Sequence, residues 1–146
     1  MEESNEKIKN VLLVDDDLVT NYVNEIIINQ TNLVDKVTVK RNGLEALEYL
    51  TTNTAGFYPQ PELILLDINM PKMNGLEFLE QYHKLDEIQK SNVVVVMLTN
   101  SLNPDDQKIC EHYNVNRFII KPLQKYELMD VITRSFIETN RLKTSI

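Results

Sequence analysis

Apolar residues in this chain gather in short unbroken runs, separated by longer stretches in which they recur every three or four positions. Val11-Leu12-Leu13-Val14 and Leu63-Ile64-Leu65-Leu66 contain no polar residue, and each is followed at once by aspartate. Such runs predict central strands buried on both faces of a parallel sheet. Val93-Val94-Val95-Val96-Met97-Leu98 and Phe118-Ile119-Ile120 predict two more. Val37-Thr38-Val39 is more polar and suits an edge strand.

Helical patterns lie between the runs. Leu18, Tyr22, Val23, Ile26 and Ile27 form one apolar stripe and predict a helix from about Asp17 to Gln30. Leu44, Leu47 and Leu50 predict another after Gly43, and Leu76, Leu79 and Tyr82 a third after Asn74-Gly75, with Asn74 as N-cap. Asn103-Pro104-Asp105-Asp106 reads as an N-cap, a proline in the first helical position and acids where the helix dipole favours them. A last stripe, Leu128, Ile132 and Phe136, predicts a helix from about Gln124 to Thr139. The long connection from Asn53 to Glu62, with Phe57, Tyr58, Pro59 and Pro61, is expected to fold over the core, and Met70, Met73 and Met97 to pack in loop and core. Strand and helix thus alternate along the whole chain, which implies right-handed crossovers and an α/β fold: a doubly wound parallel sheet with helices on both faces. In such sheets ligands bind outside the carboxyl ends of the strands.

Composition narrows the function classes. The chain has 146 residues, the size of one ordinary domain, with 15 Lys and Arg against 22 Asp and Glu and a formal charge of −7. A net acidic chain without a Lys/Arg cluster argues against nucleic-acid binding, which depends on cations neutralising phosphates. No apolar run approaches the roughly 18 residues that span a bilayer, and the acidic start lacks the apolar core of a secretory signal, so a cytoplasmic protein is expected. The single cysteine, Cys110, reads as a small helix-face residue, and neither it nor His83 and His112 makes a zinc-ligand spacing.

The strand ends carry the chemistry. Asp15-Asp16-Asp17 follows the first strand, Asp67 the third, Thr99 the fourth and Lys121-Pro122 the fifth. Singly, each has a plain structural role as a helix cap, a strand end or a solvated charge. The fold, however, brings these ends into one crevice. Two carboxylates about 4 Å apart repel by about 4 kcal/mol at an effective dielectric near 20. Several together need a cation or must hold protons. A hard ion such as Mg²⁺ resolves the crowding with one or two carboxylates and keeps sites for water and a phosphate oxygen. Carboxylates, such an ion, a lysine and a hydroxyl form an apparatus for stabilising a phosphoryl group in transfer.

With these motifs the sequence resembles the receiver domain of bacterial response regulators, the phosphoacceptor module of two-component signalling, in its stand-alone chemotaxis-receiver-like form. The residues that carry the resemblance are Val14-Asp15-Asp16-Asp17, the stretch from Leu65-Leu66-Asp67 through Met70-Pro71 to Asn74-Gly75, Leu98-Thr99-Asn100-Ser101, and Phe118-Ile119-Ile120-Lys121-Pro122. It covers a domain of residues 9–140, between polar tails at 1–8 and 141–146. It implies a flavodoxin-like strand order of 2-1-3-4-5. It implies Asp67 as the nucleophile that becomes an aspartyl phosphate, Asp16 as a direct ligand of Mg²⁺ (or Mn²⁺ in its place), Asp15 as a ligand acting through water, and a backbone carbonyl of Asn69 completing the shell. Thr99 matches the hydroxyl residue that moves to the phosphoryl group, Lys121 the lysine that contacts it, and Phe118 the aromatic that reports the movement. The bond between Lys121 and Pro122 is expected to be cis, and Asp17 to cap the first helix. Asn100 is bulkier than the small residue usual there and narrows access to Asp67.

The implied function is that of a single-domain response regulator, a signalling domain and not an enzyme in the ordinary sense. It takes a phosphoryl group from a sensor histidine kinase or phosphotransfer protein. Too few residues follow Pro122 for an output domain, so an unknown downstream protein is expected to bind the face formed by the fourth helix, fifth strand and fifth helix, without nucleic acid or membrane. The alternative is a Mg-dependent phosphatase of the haloacid-dehalogenase type with Asp15 as nucleophile and Asp17 as general acid. That reading gives Asp67 no role and finds no later acidic motif outside a helical pattern. A nucleotide-binding module of this fold class would need a glycine-rich turn where three aspartates stand.

Overall fold

A computed structural model of the chain describes residues 6–86, 93–100 and 103–142. Ser101 and most of the two expected tails lie outside the described residues. Five parallel strands form one sheet: β1 (Val11–Val14), β2 (Val37–Lys40), β3 (Leu63–Asp67), β4 (Val94–Thr99) and β5 (Arg117–Ile120). Their order is β2-β1-β3-β4-β5, with the half-buried β2 at an edge as its polar residues predict. Among the described residues four helices connect them, α1 (Leu18–Gln30), α2 (Gly43–Thr51), α3 (Gly75–His83) and α4 (Pro104–His112), and α5 (Lys125–Ile132) follows β5.

Side chains of successive strand residues point to opposite faces, so each buried strand feeds two cores. Val11, Leu13, Leu65 and Val96 join Ile28, Leu128, Ile132 and Phe136 on the α1 and α5 side. Leu12, Val14, Ile64 and Leu66 join Ala46, Leu50, Phe78, Leu79 and Cys110 on the other. Burial on both faces explains why these strands are written in unbroken aliphatic residues, each contributing roughly 1.5–3 kcal/mol when fully buried. The helix starts form as their caps predict. Asn74 and Glu77 make a reciprocal capping box at α3, and the Asn103 side chain accepts from the backbone N–H of Asp105 ahead of Pro104.

Three expectations change. The apolar stripe of α1 is turned mostly to solvent: Leu18, Tyr22, Val23 and Ile26 are exposed by 62%, 68%, 46% and 42%, as is the neighbouring Val19 by 71%, and of the stripe Ile27 packs, partly buried, against the core. The helix seats itself instead through Asn21, Asn24 and Ile28, which share its opposite face. The last helix does not run to Thr139 as one α-helix, because α5 passes into a π-helical turn at Thr133–Ile137, closed by Glu138 N–H donating to the Thr133 carbonyl over 2.8 Å. Leu128, Ile132 and Phe136 are each four residues apart, which drifts around an α-helix; a turn wider by one residue keeps Phe136 in the core. The connection at 53–62 has its own reverse turn, with Thr54 and Phe57 exchanging backbone hydrogen bonds of 2.8 and 3.0 Å, and Phe57 stands in solvent instead of over the core.

One glycine ties the fold to the strand ends. A Cβ on Gly75 would sit 2.3 Å from the Asp67 carbonyl oxygen, so the start of α3 approaches the β3 end as closely as only glycine permits. Gly75→Ala is expected to cost about 1–3 kcal/mol of stability through backbone displacement, measured by urea unfolding. An unchanged midpoint would show that the approach is not needed.

Candidate functional site

Register alone aligns the polar residues. Val14 pairs with Leu66, so Asp15 and Asp67 emerge side by side from adjacent strands. Asp67 pairs with Leu98, and Thr99 with Ile120, which sets Thr99 and Lys121 one residue further out on the next two strands. Asp15, Asp67 and Thr99 are buried and Asp16 is exposed. Carboxylate oxygens of Asp15, Asp16 and Asp67 all lie within 4.8 Å of one another. Lys121 enters the same crevice, with Nζ 2.7 Å from Asp15 Oδ2 and 3.3 Å from Asp67 Oδ1. Its backbone N–H donates to the Thr99 carbonyl over 2.8 Å. The Lys121–Pro122 peptide bond is cis. Asn69 and Asn100 are exposed at the rim, and Phe118 lies half-buried on β5, paired in register with Met97.

Charge is unevenly balanced. Burial, and then the neighbouring Asp15 carboxylate, push Asp67 above the ordinary aspartate value by more than Lys121 draws it down. Burial would lower Lys121, but its hydrogen bond to Asp15 and the fields of Asp15 and Asp67 outweigh that and hold its ammonium above the usual value. One lysine therefore serves two buried carboxylates, with Asp16 as a third negative group beside them. An oxygen-only donor set carrying more negative charge than its lysine offsets fits a small divalent cation.

The backbone around the acids is fixed by short local bonds. Asp15 N–H donates to the Lys40 carbonyl on β2 (3.1 Å), Asp15 Oδ1 accepts from Asp17 N–H (2.9 Å), and Asn21 Nδ2 donates to the Asp15 carbonyl (2.7 Å). Asp17 turns its carboxylate to the start of α1, accepting from Val19 N–H and Thr20 Oγ1 at 3.0 Å each, and the Thr20 bond leads in holding it below the ordinary value. The acid that the phosphatase reading requires is thus spent on a helix cap. Beyond β3, Gly75 N–H donates to the Ile68 carbonyl and Gly43 N–H to the Met73 carbonyl, both over 2.8 Å, so the loop after Asp67 is held at both ends.

Sequence reasoning did not anticipate Asn21 or the pairing of Lys121 with Asp15. The spacing contained a signal for the first, since Asn21 stands one helical turn after the cap Asp17 and shares a face with Asn24 and Ile28. It also did not anticipate that the exposed stripe of α1 borders the crevice: Val19, Thr20, Val23 and Asn24 line a cleft of about 350 Å³ with Asn100, Lys121, Pro122 and Leu123.

Comparison with known proteins agrees with this geometry. The family model described as "Response regulator receiver domain" matches residues 11–133. The chain is 35% identical over 88 residues to the probable methanogenesis regulatory protein FilR2 of Methanothrix harundinacea, covering 60% of this chain and 56% of that one. It thus matches little more than half of that relative's length. It is 29% identical over 127 residues to response regulator Rcp1 of Synechocystis sp., covering 85% and 84% of the two chains. The solved structure of the phosphorylated cyanobacterial phytochrome response regulator RcpA superposes with a TM-score of 0.73 at 27% identity, covering 93% of this chain and 99% of that one. The match takes in the sheet and the crevice together, and the chain belongs to the receiver-domain family of two-component response regulators.

Proposed function

We propose that the chain accepts a phosphoryl group on Asp67 from a phosphohistidine of a sensor histidine kinase or phosphotransfer protein, and signals through changed protein contacts. The observation that carries this reading is the setting of Asp67, a buried carboxylate at the end of a central strand with Lys121 Nζ 3.3 Å away. The similar RcpA structure is described as phosphorylated.

In the transfer an Asp67 carboxylate oxygen attacks phosphorus, and an O–P bond forms as the donor's N–P bond breaks. The electron pair of that bond returns to the imidazole nitrogen. Asp15, Asp16 and Asp67, with the Asn69 backbone carbonyl, would hold Mg²⁺ or Mn²⁺. When bound, the ion supplies positive charge against the phosphoryl oxygens. Lys121 supplies a second, fixed positive charge, and Thr99 a hydroxyl at the end of β4. A phosphoryl group stabilises whichever arrangement brings Thr99 and Lys121 inward, and acts only through that preference. Phe118 then turns into the space behind Thr99 and alters the face of α4, β5 and α5, where Ile109, Ile120 and Tyr126 are exposed.

The apolar face of α1 suits the donor. It borders the cleft that contains Lys121, and a protein donor must cover the crevice to deliver its phosphoryl group. Leu18, Val19, Tyr22, Val23 and Ile26 are exposed, and Val19 and Val23 among them line the cleft with Lys121. Asn100 stands in the same cleft and limits how closely a donor approaches.

Incubation with Mg²⁺ and a phosphodonor is expected to give an acid-stable, hydroxylamine-labile acyl phosphate that Asp67→Asn abolishes. Labelling that persists in that variant and is lost in Asp15→Asn would establish the phosphatase reading in its place. Tyr22→Ala is expected to slow transfer from a histidine kinase that labels the wild-type chain by about tenfold, or ~1.4 kcal/mol, and to leave labelling by phosphoramidate unchanged. Equal slowing with both donors would place the effect in the crevice instead of the docking face.

A further inference from the structure

Asp16 differs from Asp15 and Asp67 in that its side chain is exposed, yet both peptide groups that flank it are held by side chains. On one side the Asp15 carbonyl accepts from Asn21 Nδ2 at 2.7 Å. On the other the Asp17 N–H donates to Asp15 Oδ1 at 2.9 Å. The Cα–Cβ direction of Asp16 is set by these two planes. One of the two clamps, Asp15, belongs to the crevice itself. The other, Asn21, lies on α1, is 5% exposed, and reaches Asp15 through its backbone carbonyl.

We propose that Asn21 is a positioning residue: its amide fixes the peptide between Asp15 and Asp16, and so aims the Asp16 carboxylate at a divalent cation shared with Asp15 and Asp67. This rests on the phosphoacceptor reading above and extends it to a residue outside the crevice. A second observation separates the role from ordinary packing. Asn21 Oδ1 is buried and has no hydrogen-bond partner, which disfavours the folded state. An apolar side chain would fill that place without leaving an oxygen unpaired. The asparagine therefore stands where it weakens packing, and what it contributes is one bond to the segment that carries two metal ligands. Outer residues that orient a metal ligand typically change metal affinity by about 10–100-fold when removed.

The test is direct Mg²⁺ titration by calorimetry on folded protein, without phosphodonor, for wild type, Asn21→Ala, Thr31→Ala and Asp16→Ala. Thr31 is the control, because it is a buried polar residue at the opposite end of α1, where its hydroxyl donates to the Ile28 carbonyl and accepts from Leu33 N–H, outside the bonds that hold residues 15–17. The expected result is a Kd for Mg²⁺ raised about tenfold or more in Asn21→Ala and unchanged within about twofold in Thr31→Ala. If Asn21→Ala does not fold, Asn21→Leu keeps the branched outline of the side chain without its amide and is expected to show the same weakening. An unchanged Kd in the folded Asn21 variant, or equal weakening in the Thr31 variant, would overturn the proposal. Equal affinity in wild type and Asp16→Ala would overturn the metal reading itself, and the role of Asn21 with it.

Discussion

Crowding of negative charge at the carboxyl ends of the strands is the constraint on which the rest of this structure depends. Asp15 and Asp67 are driven side by side by the register of β1 and β3, in a place from which most water is excluded, and Asp16 stands within 4.8 Å of them. Among the described residues Lys121 is the cation paired with these buried acids, and it is shared between Asp15 and Asp67. Like charges at such distances are tolerated only where the surrounding structure fixes them firmly. The local bonds around residues 15–17 and the close approach of Gly75 to Asp67 supply that firmness.

The same constraint connects fold to function. A crevice held together against its own charge gains from any positive ion that enters it, and the preference is built into the sheet before a ligand arrives. On the proposed reading, a phosphoryl group on Asp67 would change the balance again by offering acceptors that Thr99 and Lys121 would meet in a different arrangement. In the proposed switch the signal depends on which of two arrangements the charge favours, and Phe118, half-buried on β5, is the residue proposed to pass that choice to the outer face. Beside the cleft α1 turns Leu18, Val19, Tyr22 and Val23 to solvent and seats on Asn21, Asn24 and Ile28, an arrangement costly for folding alone and suited to the proposed docking of a donor.

Strands and caps were legible in the sequence because both depend on near-neighbour chemistry. Val11 to Val14 and Leu63 to Leu66 read as doubly buried strands since nothing polar interrupts them, and Asn74 and Asn103 read as caps from the residues that follow. The acids, Thr99 and Lys121 were legible once the strand ends were placed together. Other features depended on tertiary contacts. Periodicity located the stripe of α1 and could not say which side of the helix meets the sheet, because Asn21, Asn24 and Ile28 occupy that side with little apolar area. The π-helical turn at Thr133–Ile137 answers the packing of Phe136, which no local propensity encodes.

The most direct test of the crowding account is the stability of Asp67→Asn against wild type in Mg²⁺-free buffer, followed by urea unfolding across pH. Asp67 sits above its ordinary value in the folded chain, so its charged form disfavours folding. That penalty is absent below the unfolded carboxylate value, near 4, and grows as pH rises through the folded one. The account predicts equal stability in acid, a more stable Asp67→Asn variant at neutral pH, and closure of the gap when Mg²⁺ is added to wild type. A variant less stable than wild type at neutral pH would show that attraction to Lys121, and not repulsion among the carboxylates, governs the crevice, and would contradict the account.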